Sequence, residues 1–92
     1  MIHELKTWPN PFEASWQGKK PYEIRKFDRD FKVGDKVYLR EYDPDKKRYT
    51  GRSIEGVITY MTLPGNWGIP MDMCVFSFDE LAQFDGRDEC IE

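Results

Sequence analysis

Lys20, Glu23 and Arg25 crowd together in the run Gly18-Lys19-Lys20-Pro21-Tyr22-Glu23-Ile24-Arg25. A carboxylate held between two cations stays ionised and fixes the direction of both, which is how a preorganised polar site is built. The cations could hold phosphate or carbonyl oxygens, while Glu23 could accept the amino hydrogens of a base or orient Lys20. In a second chemistry, Lys20 and Glu23 would be catalytic, working as a proton relay in hydrolysis. The bland alternative is a salt bridge on a strand surface, worth ~0–1 kcal/mol.

Local signals say which elements must position these residues. Asn10 can cap a helix, Pro11 suits its first turn, and Glu13 completes an Asn-x-x-Glu capping box. Phe12 and Trp16 fall on one face, and Gly18 stands where a left-handed cap would end the helix. A helix over 10–17 is predicted. Residues 2–7 read as a short strand with Leu5 inward. In 22–26, period two puts Glu23 and Arg25 on one face, opposite a core face of Tyr22 and Ile24. A charged loop over 28–35 closes in the Gly34-Asp35 turn. Strands follow at 36–42, with Val37 and Leu39 on one face, and at 52–61, with Gly56 as a bulge or bend. After a Pro/Gly-rich loop over 62–72 come an apolar strand at 73–78 and a short helix at 79–84, where Leu81 and Phe84 are three apart. The fold class is α+β: a small, largely antiparallel, curled sheet of about five strands with one N-terminal helix.

Several other residues could join a site. His3, the one histidine, shares a face with Leu5 and reads first as a hydrogen-bonded structural residue, second as a group at the mouth of a cleft. Lys6 lies one face over. Arg29, between Asp28 and Asp30, reads as an ion-paired loop organiser first and a phosphate contact second. Trp67, in Pro64-Gly65-Asn66-Trp67-Gly68, reads as a plug over the barrel end or as a stacking platform worth ~1–3 kcal/mol per base. Lys46-Lys47-Arg48 is a solvated turn or a grip on a nucleic-acid backbone, with Tyr49 beside it. Trp8 and Trp16 read as helix packing.

Ninety-two residues make one domain, 1–84, followed by an acidic tail over 85–92. Fifteen per cent aromatics give so small a core large buried areas. With 34% charged residues and no long apolar run, a membrane span is excluded, and a start of Met-Ile-His-Glu-Leu-Lys is no signal peptide. A cytoplasmic protein is expected. Cys74 reads as a core residue and Cys90 as an exposed thiol, so no disulfide, structural zinc or other cofactor is expected. Net charge is −3 but uneven: residues 79–92 hold six acids and one base, whereas 19–52 hold 12 bases and seven acids. Such a basic stretch can bind phosphate locally without being the footprint of a sequence-blind nucleic-acid binder. No phosphate-cradling glycine loop and no Ser-His-Asp set is present.

The spacing Gly-x-Lys-x-x-Glu-x-Arg at Gly18, Lys20, Glu23 and Arg25 resembles the motif of the ASCH domain, a small β-barrel of the PUA-like superfamily. The helix before the motif and the Val33-Gly34-Asp35 turn after it also match, while His3-Glu4-Leu5-Lys6, Glu23-Ile24-Arg25, Asp28-Arg29 and Arg40-Glu41-Tyr42-Asp43 look like a bacterial and phage-borne branch of it, so the resemblance extends over about 3–60. It implies a PUA-like barrel whose motif residues line a cleft between helix and sheet. The partner it implies is RNA or a nucleotide, modified or not. One branch comprises amidohydrolases of acetylated cytidine using a Lys, a Thr and a Glu. Their Lys falls on Lys20, but Glu23 occupies the Thr position, and a carboxylate does not replace a hydroxyl one for one. Ribonuclease activity is also ascribed to the family. The expectation is therefore binding of RNA or a nucleotide beside the first helix through Lys20, Glu23 and Arg25, joined by His3, Lys6, Arg29 and Trp67. A hydrolase using Lys20 and Glu23 is the second reading, and a phage-type protein-interaction module the third.

Overall fold

Burial alternates residue by residue along β-strands at 2–7 and 36–41, through the middle of 48–62 and over 73–78, and this period of two builds the sheet. The computed structural model describes residues 1–87. In chain order it has β1 (Ile2–Thr7), α1 (Pro9–Trp16), β2 (Tyr22–Lys26), β3 (Lys36–Asp43), β4 (Arg48–Thr62) and β5 (Met73–Asp85). The strands form one mixed sheet in the order β1-β3-β4-β5-β2. The pair β1–β3 is parallel, and the other three pairs are antiparallel. Although β1 and β2 lie at opposite ends of that order, Arg25 Nη2 donates to Thr7 Oγ1 at 3.0 Å. The sheet is therefore curled into a half-barrel whose two edges face each other across a seam.

Inside the curl, Leu5, Val37, Leu39, Ile54, Ile58, Cys74, Phe76 and Phe78 are buried from the strands, with Phe12 from the helix and Phe31 from the loop before β3. Bulges in the β4–β5 ladder fall between Glu55 and Gly56 and between Ile58 and Tyr60. At the first of them a Cβ on Gly56 would meet Phe78 Cδ2 at 2.8 Å, so the expected bend there is a place for glycine alone. The helix packs against β3 and inserts Phe12, which is fully buried.

Four local expectations are corrected. The capping box does not form: the helix starts at Pro9 with Trp8 as its cap residue and no side-chain cap bond. Glu13 is committed elsewhere, accepting from Arg52 Nη2 and from Gln17 Nε2, both at 2.8 Å. Gly18 does adopt the left-handed φ of 78°. Residues 79–84 are strand, because β5 continues to Asp85 and pairs with β4 from Arg52 onward. Correspondingly, β4 begins at Arg48, where Tyr49 already pairs with Tyr42. Trp67 plugs nothing. It is 93% exposed, at a φ of 53°, on a loop fastened by Gly65 N–H to Ile69 O at 2.9 Å.

The fourth correction matters most. On β2 the faces are reversed: Tyr22 and Ile24 are exposed, and Glu23 is only 3% exposed. Beside the seam, the inward positions are polar, and Glu23 is neutralised there by its own neighbours. Cys74 is a buried free thiol, raised above its ordinary pKa by burial and then by the charge of Asp28. Cys90 and most of the expected tail lie outside the described residues.

Candidate functional site

The sharp turn after α1 delivers Lys20 to the start of β2. Ser15 Oγ donates to Lys20 O at 2.8 Å, fixing that corner. From there Lys20 Nζ donates to Glu23 Oε2 at 2.6 Å and to Tyr22 O at 2.7 Å. Arg25 Nε donates to Glu23 Oε1 at 2.8 Å, and Nη2 reaches across the seam to Thr7. Each Glu23 oxygen thus holds one cation. Arg25 Nη1 has no protein acceptor among the described residues, so its donors stay open to solvent. The side chains of Lys20 and Arg25 are 19% and 23% exposed, so water and solutes reach them.

These residues border an open cleft of about 370 Å³, together with Lys6, Thr7, Trp8, Pro11 and Ile24. Trp8 is 59% exposed there, so it is not helix packing as expected. Its signal was present as a tryptophan just before a helix start, three residues from Pro11. Lys6 sits with its Nζ 4.2 Å from the centre of the Tyr42 ring, at the margin of the cleft.

The two sheet edges add a feature that side-chain spacing cannot reveal. Phe78 N–H donates to Pro21 O and Phe27 N–H to Asp72 O, so odd-numbered residues of β2 bond to β5. Tyr22, Ile24 and Lys26 then turn their peptide groups toward the seam. On β1, Lys36 N–H donates to Met1 O, which likewise leaves Ile2, Glu4 and Lys6 facing outward. The cleft therefore has peptide donors and acceptors along its rim, beside cations and an aromatic face.

His3 is not in the cleft. It is 3% exposed, its Nε2 is 2.8 Å from Asp35 Oδ2, and its ring packs 4.6 Å from that of Phe31. The structural reading of His3 fits this placement. The hydrogen bond from His3, ahead of the opposing effect of burial, holds the Asp35 carboxyl below its usual range. Arg29 lies further along the seam, with Nη1 3.3 Å from Glu4 O and Nε 3.7 Å from Asp28. Trp67 stands on the β4–β5 loop and borders neither stretch of the seam. At the hairpin tip, Arg40 lies 3.9 Å from the Tyr49 ring centre, so Tyr49 is already stacked within the protein.

A second charged cluster was missed in the sequence. Arg52 is buried, donating to Glu41 Oε1 at 2.9 Å, Glu41 Oε2 at 3.0 Å and Glu13 Oε1 at 2.8 Å. Its guanidinium lies 5.1 Å from the Phe12 ring centre and 4.8 Å from that of Trp16. Both Glu41 oxygens are taken, and Thr50 Oγ1 adds a third bond at 2.7 Å. Burial would raise the Glu41 pKa, but bonds from Arg52 and Thr50 outweigh it and the net shift is downward. Among the described residues no buried side-chain nitrogen or oxygen is left without a partner, and this cluster clamps the helix to the sheet. Among the described residues no group of three or more His, Cys, Asp and Glu could hold a metal, and no helix is long and apolar enough to cross a membrane.

A family model described as "Domain of unknown function (DUF3850)" matches residues 2–78, which takes in every residue of the cleft. A protein of Escherichia phage P2, described as "Uncharacterized 12.9 kDa protein in GpA 3'region", is 38% identical over 66 residues. That match covers 72% of this chain and 59% of the phage protein, so the chain spans less than two thirds of its relative's length. The chain belongs to the DUF3850 family.

Proposed function

We propose that this chain is an ASCH-like, PUA-like module that binds a nucleotide of RNA in the cleft between its two sheet edges. The carrying observation is the Lys20–Glu23–Arg25 cluster, where one buried carboxylate holds two cations at an open rim. One carboxylate against two cations leaves a net positive site, and the ion pairs set its geometry before any ligand arrives. Phosphate would sit on Lys20 and the free end of Arg25. A base would stack on Trp8, and its polar edge would meet the outward peptide groups of β2. The curled mixed sheet, with motif residues bordering a cleft next to the helix, supports the PUA-like assignment.

Binding is favoured over hydrolysis by Glu23 itself. Each of its oxygens already accepts a bond from Lys20 or Arg25 and its side chain is only 4% exposed, so it works as an orienting group with little access to a substrate proton.

The test is a titration of ribonucleoside 5′-monophosphates followed by tryptophan fluorescence, with mass spectrometry of the recovered nucleotide. Binding without mass change is expected. Trp8→Ala should weaken it by ~1–3 kcal/mol. Arg25→Lys should weaken it too, since an ammonium does not reproduce the guanidinium fork. Undiminished binding in both variants would remove the cleft as the site.

A further inference from the structure

Beyond the cleft, the seam continues. A second depression of about 240 Å³ is bordered by Leu5, Arg25, Lys26, Asp28, Arg29 and Phe31. Arg25 borders both depressions, so they form neighbouring stations along one groove between β1 and β2. Along that groove stand the cations Lys6, Lys20, Arg25, Lys26 and Arg29 and the carboxylates Glu23 and Asp28. Five against two leaves an excess of three positive charges, in a chain whose net charge is −3. The basic character is concentrated where the two edges meet.

Arg29 is held but not used up. Its anchors are a carbonyl on the outward edge of β1 at 3.3 Å and Asp28 at 3.7 Å, both long for charge-assisted bonds. Its guanidinium carbon lies 5.7 Å from the Phe31 ring centre, which limits how it can turn. The side chain remains 42% exposed. It is a directed cation with donors to spare, one station along from Lys20 and Arg25.

We infer that the groove takes a single-stranded polynucleotide over at least two successive phosphates, the first at Lys20 and Arg25 and the second at Arg29. This rests on the cleft reading above and extends it from one nucleotide to a strand. A paired duplex does not suit the groove, because the outward peptide groups and Trp8 engage base edges and faces that pairing and stacking hide.

Fluorescence anisotropy with a labelled single-stranded RNA octamer, with nucleoside 5′-monophosphates measured in parallel by tryptophan fluorescence, tests this. The octamer should bind at least tenfold more tightly than any monophosphate. Arg29→Gln should weaken the octamer roughly 5- to 20-fold, leave monophosphate affinity unchanged, and reduce the slope of log affinity against log salt by about 0.7. Because Arg29 is exposed, this variant should unfold in denaturant as the parent does, which separates lost binding from lost fold. If monophosphates bind and the octamer gains nothing, or if Arg29→Gln leaves octamer affinity intact, the second station is refuted while the cleft reading survives. If neither probe binds, both fall.

Discussion

Glu23 decides whether the cluster on β2 is a surface ornament or part of the scaffold, because it is both the hub of the candidate site and an inward-facing residue. The alternation of Tyr22, Glu23, Ile24 and Arg25 was legible in the sequence, but which face turned inward was not. Hydrophobicity assigns Tyr22 and Ile24 to the core, and that rule fails on an edge strand whose inner side opens on a cleft. There, burying an ionised carboxylate is tolerable because Lys20 and Arg25 travel with it. Removing its charge should therefore strand two cations at once. Glu23→Gln is expected to lower unfolding free energy by ~1–3 kcal/mol in a urea titration, and to weaken nucleotide binding as well. A variant as stable as the parent would mean that solvent already screens the cluster.

The positions of the elements were largely written in local patterns, whereas their ends and their mutual fastening were not. Phe12 four residues before Trp16 marked the buried face of α1, and Gly18 its stop. The helix start was misplaced because Glu13 has a better partner than a cap in Arg52, 39 positions away. No short-range signal announces a partner at that distance. The same distance hid the strand over 79–84, which exists because β4 is long enough to pair with it. Arg52 ties helix to sheet, and its loss should leave the carboxylate of Glu41, itself only 5% exposed, without its cation. Arg52→Met should cost ~3–5 kcal/mol by denaturant unfolding, and adding Glu41→Leu should restore much of it, since the burial penalty leaves with the charge. If the double variant is no more stable than the single one, the clamp contributes through packing on Phe12 and Trp16.

Among the described residues, buried carboxylates are held at the seam (Glu23), in the helix clamp (Glu41) and beside His3 (Asp35). Two of these have pKa values lowered by folding, Asp35 through His3 and Glu41 through Arg52 and Thr50 against the cost of burial. A group with a depressed folded pKa binds protons more tightly when unfolded. Its stabilisation is complete above the unfolded value, about 4, and is lost as pH falls through the folded value. The denaturation midpoint should thus hold steady from about pH 8 down to about pH 5 and then decline steeply below about pH 4. Asp85, drawn to about 2 by Arg87 but on the exposed surface, should add little. Asp35→Asn should lower stability at neutral pH and also flatten the acid limb, because the titrating carboxylate is gone. The two effects have one origin, so the variant and the parent should converge as pH approaches about 2. Parallel curves over the whole range would show that Asp35 acts only through the shape of its turn.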